Sequence, residues 1–123
     1  MSRAQEFADA LQRLEQDGDL EPFLSQFSDD VRLLRPETGG QEQGADGARR
    51  FWQAYLDQFG DIASTFGRVE DAGRLGELEW TSTGHLKTGH DISYTGVSLL
   101  EHDDAGKVAR FVSYYDTAAF LRP

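Results

Sequence analysis

The rhythm of the apolar residues changes once along this chain, at Gly60. Before that point they recur every three or four residues, the spacing that gathers them on one face of a helix. After it they fall into short runs rich in β-branched and aromatic side chains, divided by glycine-containing turns. Residues 2–16 predict an amphipathic helix with Phe7, Ala10, Leu11 and Leu14 on one face. Ser2 and Gln5 are spaced as a capping box, and Gly18 is the natural stop. Asp19 starts a second, short helix, which tolerates Pro22 in its first turn because an amide hydrogen there has no partner anyway. Phe23, Leu24 and Phe27 supply its buried side. A short strand is expected over 31–35, closed by Pro36. Asp46 is placed to cap a third helix over 47–59, whose apolar side is Phe51, Trp52, Tyr55, Leu56 and Phe59. Four strands then follow near 62–71, 75–84, 90–102 and 107–116.

Between the first strand and the third helix lies "ETGGQEQGADG", residues 37–47, which is polar, carries four glycines and has no periodicity. It reads as a mobile loop. A loop of that kind is either a plain surface connection or a cover over a pocket mouth. Helices first and consecutive strands afterwards indicate an α+β fold, with the strands joined mostly antiparallel by tight turns. No internal repeat is visible.

The chain's 123 residues, 38% hydrophobic and 11% aromatic, are enough for one domain spanning 1–123 with a real core. A net charge of −10 with no cluster of Lys and Arg repels a phosphate backbone, so nucleic acid is not an expected partner. The absence of cysteine excludes disulfides, thiol catalysis and thiolate metal sites, and fits a reducing cytoplasm. The N-terminal "MSRAQEFADAL" lacks the apolar core of a signal peptide, and no apolar run reaches the length needed to cross a membrane. A cytoplasmic location, without membrane association, is therefore the expectation.

The last strand ends in "RFVSYYDTAAF", residues 110–120. Regular alternation puts Val112, Tyr114 and Asp116 on one face, with Phe111 and Tyr115 on the other, and both sets are largely apolar. A sheet with one wet face alternates more cleanly. Three helices can cover one face; a second copy of the chain is the expected cover for the other, giving a homodimer.

The stretches "DGDLEPFLSQFSDDVRLLRP", "GADGARRFWQAYLDQF", "LGELEWTSTGHLKTG" and "YTGVSLLEHDDAGKVARFVSYYDTAAFL", in that order, resemble the SnoaL-like (polyketide cyclase-like) group of the NTF2-like superfamily. The resemblance lies in the succession over most of the length. It implies a cone, in which a strongly curved sheet wraps a long helix and leaves an apolar cavity open at one end. It also implies a small, mainly apolar ligand and no cofactor. Activity does not follow from the fold, because relatives include cyclases, isomerases and non-catalytic binding domains.

In the cyclase branch an aspartate near the end of the last strand removes a proton next to a carbonyl, and Asp116 matches that position. His102, His90 and His85 are candidates for the histidine that often assists. Proton abstraction near neutral pH needs a carboxylate held among apolar walls, which Trp52, Tyr55, Trp80, Tyr94 and Tyr114 could build. The plain alternative for Asp116 is a cap on the turn "DTAAFL". In "GHLKTGHD", His85 and His90 are five apart across a turn, which is no recognised metal spacing, so no metal is expected.

Overall fold

The computed structural model describes residues 2–121. The first helix, α1 (Arg3–Asp17), begins and ends on the expected signals. Ser2 Oγ accepts from the Gln5 amide at 3.0 Å, and Gly18, at φ 72°, closes the helix by bonding Leu14 O. The box is not reciprocal, because the Gln5 side chain donates to Asp9 instead. The short α2 (Leu20–Leu24) is capped by Asp19.

Strand β1 (Phe27–Arg35) starts four residues earlier than the sequence suggests. Phe27 leaves the helix because it pairs with Val108 of the last strand, a partner 81 positions away that local propensity cannot see. The expected mobile loop is corrected more substantially. Residues 36–39 make a tight turn with Gly39 at φ 74°, and β2 (Gly40–Gln43) returns antiparallel along β1, from Arg35↔Gly40 to Arg32↔Gln43. Its side chains, Gln-Glu-Gln, carry no strand signal; backbone pairing at a sheet edge makes it a strand. Helix α3 (Gly44–Asp57) therefore begins earlier too, with Asp46 inside its first turn, where a carboxylate still faces the positive end of the helix.

The remaining strands are β3 (Phe59–Ala72), β4 (Leu75–Leu86), β5 (Asp91–His102) and β6 (Val108–Tyr115), followed by a 3₁₀ turn, η1 (Thr117–Leu121). They form one six-stranded sheet in the order β2-β1-β6-β5-β4-β3. Every pairing is antiparallel except β1 with β6. Bulges interrupt β3 after Phe59 and Phe66, and the β5–β6 pair after Glu101. Bulges of this kind bend and twist a strand, and here they accompany the curl of an unclosed sheet around the helices.

The main core sits in the concave side. Phe7 of α1 stacks on Phe111 of β6 with centroids 5.5 Å apart, and Trp52 of α3 meets Phe23 edge-on at 4.8 Å and Phe111 at 5.1 Å. A second cluster, Phe59, Ile62, Ile92, Tyr94 and Ala119, lies toward the other end of the sheet. Tyr55 and Trp80 touch both clusters, and the space between them is the site described next.

Candidate functional site

Alternation along β4, β5 and β6 turns Trp80, Ser82, Tyr94, Ser98, Ser113 and Tyr115 into the concavity. Phe51, Trp52 and Tyr55 of α3 form the opposite wall, and Phe120 of η1 closes part of the end. These residues line a narrow, partly enclosed space of about 460 Å³, mouth included. Among the described residues, the lining contains no Asp, Glu or His.

One glycine shapes the floor. Trp80 pairs with Gly96 across β4 and β5, and the indole lies over it: a Cβ on Gly96 would stand 2.5 Å from the Trp80 ring and 2.4 Å from the Tyr114 carbonyl oxygen. The indole Nε1 donates to Ser98 Oγ at 2.9 Å, and Ser98 Oγ lies 3.1 Å from Ser113 Oγ. Trp80 is thus locked in its plane by one missing side chain and one hydrogen bond.

A second polar group backs the wall at Tyr55. Glu15 of α1 accepts from the Ser64 amide at 2.8 Å, from Ser64 Oγ at 2.7 Å and from the Tyr55 hydroxyl at 2.6 Å. Ser64 Oγ in turn lies 2.6 Å from Ser82 Oγ. Burial raises the Glu15 carboxyl above its usual range, and the three donors only partly offset that. Burial raises Tyr55 well above an ordinary phenol, and the Glu15 charge adds to the shift. Both Tyr55 and Tyr94 therefore stay neutral hydroxyl donors at physiological pH.

Arg35, the last residue of β1, brings the one charged side chain that lines the cavity among the described residues. Its guanidinium carbon lies 3.6 Å from the centroid of the Phe51 ring, and Nη2 donates to Phe51 O at 3.1 Å. Burial pulls its pKa below the ordinary arginine value.

The sequence-derived residues divide sharply. Trp52, Tyr55, Trp80 and Tyr94 all line the space. Tyr114 does not: pairing with Val97 sets it on the convex face, 39% exposed, and Tyr115 takes the inner position. Asp116 also stands outside. It is exposed, just past β6, with Oδ1 accepting from the Ala118 amide at 3.1 Å as a cap on η1. Changing Asp116 to Asn keeps a capping oxygen, so stability should move by less than about 0.5 kcal/mol, whereas Asp116→Ala should cost about 0.5–1 kcal/mol in urea melts.

His102 is buried at the opposite end of β5, four residues beyond Ser98, with Nδ1 3.4 Å from the Arg74 carbonyl oxygen. His90 is exposed in the β4–β5 turn. His85 bridges Asp61 and Asp91, at 2.7 and 3.0 Å, and those carboxylates raise its pKa. None of the three imidazoles lines the cavity.

Glu15, Arg35 and the serine pairs were missed by sequence reasoning, although signals existed. Glu15 continues the stripe Phe7–Leu11 at steps of four, and Arg35 continues the alternation Val31–Leu33, two residues that are fully buried. A polar side chain on such a stripe has to find partners inside.

The model of the SnoaL-like domain matches residues 4–111, from the first turn of α1 to the middle of β6. The chain belongs to the SnoaL-like domain family. The match stops before Asp116. Among solved structures, this SnoaL-like chain is similar to an NTF2-like protein of unknown function from Burkholderia pseudomallei, with 19% identity over 99% of this chain and 97% of that one and a TM-score of 0.85. It is similar to TerC, co-crystallised with polyporic acid, with 24% identity, 98% and 96% coverage and a TM-score of 0.82. It is also similar to RV0760c from Mycobacterium tuberculosis in complex with estradiol-17β-hemisuccinate, with 16% identity, 97% and 98% coverage and a TM-score of 0.79. At these identities the likeness shows the fold. No functionally curated protein matches the sequence. Among the described residues, no helix is long and apolar enough to cross a membrane.

Proposed function

We propose that this SnoaL-like protein binds a small, mainly apolar molecule in the cavity between α3 and the sheet, and that binding without turnover is its function. The observation that carries this is the composition of the wall: aromatic rings from α3, β4, β5 and β6, fixed hydroxyl donors, and no carboxylate or imidazole among the described lining residues to move a proton. Two structural neighbours of the same fold, crystallised with polyporic acid and with estradiol-17β-hemisuccinate, support a small-molecule ligand. The narrow interior requires a small ligand, or one that displaces Phe120, which sits partly buried on the terminal turn. Calorimetric titration with 2-naphthol, a neutral aromatic probe, tests the proposal: saturable one-site binding is expected, and the absence of any saturable heat up to millimolar probe overturns it.

The cyclase-like alternative, with Asp116 as base, requires Asp116 to leave its cap on Ala118 and turn inward. Unchanged 2-naphthol affinity in Asp116→Asn would speak for binding alone; a loss of affinity would put that carboxylate in the site.

We further propose that the convex face of the sheet joins two copies of the chain. Leu99 and Tyr114 stand exposed there beside Val97, among hydrogen-bonding and charged neighbours such as the Arg110–Glu101 pair. Sedimentation should give twice the 13.7 kDa chain mass, and Tyr114→Glu should return it to 13.7 kDa. A single-chain mass for the unaltered protein at about 100 µM, far above the Kd of a specific dimer, contradicts this.

A further inference from the structure

We propose that the ligand of this cavity is an organic anion, a carboxylate or acidic enol on an aromatic or otherwise apolar body, with its charge seated against Arg35. This deepens the binding function proposed above and rests on it.

Arg35 is an arginine in the wrong surroundings for a structural one. A guanidinium has five N–H donors, and among the described residues one of them reaches a protein acceptor, the Phe51 carbonyl. Its flat face is against the Phe51 ring. Among the described residues no carboxylate pairs with it, although the same residues form ion pairs at Arg49, Arg50, Arg68, Arg74 and Arg110. Those arginines are all on the surface. Arg35, by contrast, is turned into the aromatic cavity, and among the described residues it has no counter-charge there. Burying an unpaired cation among rings is unfavourable, and packing alone would be served as well by Met or Leu. The side chain is half-buried, and that burial pulls its pKa below the ordinary arginine value.

Its neighbours suit an anion. Leu34 pairs with Val112, and the residues that follow them, Arg35 and Ser113, both line the cavity. Tyr94 and Tyr115 line the same space as Arg35, and burial raises the Tyr94 phenol so that it stays neutral. Hydroxyl donors therefore flank the guanidinium on the same wall. The Trp52 indole N–H, in the facing wall, has no acceptor among the described residues. The protein as a whole carries −10 and repels anions, so any preference for one has to come from this local arrangement.

The test is a matched pair of probes at two sizes, benzoate with benzamide and 2-naphthoate with 2-naphthamide, titrated by calorimetry into the full-length protein. At one size or the other the carboxylate should bind about 10- to 100-fold more tightly than its amide. That preference should fall below about threefold in Arg35→Met and be intermediate in Arg35→Lys, which keeps the charge but not the fork. It should also persist in 0.5 M salt, since a partly buried pair is weakly screened. Carboxylate and amide binding equally well would overturn the anion assignment and leave the cavity intact as a ligand site. A failure of all four probes would overturn both. The comparison within the unaltered protein stands even should Arg35→Met fold poorly through loss of its Phe51 contacts.

Discussion

Gly96→Ala should destabilise the protein by about 3 kcal/mol, a fall in melting temperature of about 10 °C for a chain of this size. The new methyl group would stand 2.4 Å from the Tyr114 carbonyl oxygen and 2.5 Å from the Trp80 ring. The carbonyl belongs to the β5–β6 ladder and cannot retreat without breaking it, so the indole has to give way. As it moves, its hydrogen bond to Ser98 goes, and with it the flat floor of the cavity. Stability and probe affinity should therefore fall together. Trp80→Phe is the separating control, since it removes the hydrogen bond and part of the ring while leaving room over Gly96. Thermal melts of the two variants decide the matter: a Gly96→Ala protein within about 0.5 kcal/mol of the original would mean that the indole is not held there.

Glu15→Ala should be of similar size, about 3 kcal/mol, for a different reason. It strands the Ser64 amide and the Tyr55 hydroxyl, each of which has Glu15 as its acceptor in a half-buried place. Glu15→Gln keeps one oxygen for the amide, and the Tyr55 and Ser64 hydroxyls can rotate to accept from the new NH₂ group, so its cost should be about 1 kcal/mol. The pH dependence separates charge from hydrogen bonding. The folded protein raises the Glu15 pKa, so the fold favours the protonated form. The stability this group contributes is fully present below its unfolded value of about 4.3 and declines as pH rises through the higher folded value. The advantage of the original protein over Glu15→Gln should thus be larger at pH 4 than at pH 7. Urea melts at the two pH values measure it, and an advantage that grew with pH would show the carboxylate to be stabilised as an anion.

Much of the fold was legible because its signals are local. Ser2, Gly18 and Asp19 cap where their chemistry requires, and the strands after Gly60 appear in place to within a few residues. What was not legible depends on partners distant in sequence. Gly40–Gln43 has no side chain that favours a strand and becomes one by backbone pairing with β1. Phe27 is drawn out of a helical pattern by Val108. The site divides the same way. Trp52, Tyr55, Trp80 and Tyr94 were found as aromatic side chains on the inner faces of their elements. Tyr114 and Tyr115 are adjacent, and a strand of period 2 sends only one of them inward; which one follows from the pairing of β6 with β5, a non-local fact. Asp116 drew attention as a carboxylate after an aromatic strand, yet the strand ends at Tyr115 and the alternation with it. Arg35 and Glu15 were not singled out in the sequence, where only the faces they share with Leu33 and Leu11 set them apart.

The chain has two tryptophans, and both line the cavity. Their two indole N–H signals in a ¹H–¹⁵N spectrum, assigned with Trp80→Phe, therefore report directly on where a ligand sits. On titration with 2-naphthol or 2-naphthoate, both signals should shift along a single saturation curve that agrees with the calorimetric affinity. Saturable binding that leaves both indole signals unmoved would place the ligand elsewhere and contradict the assignment of this cavity as the binding site.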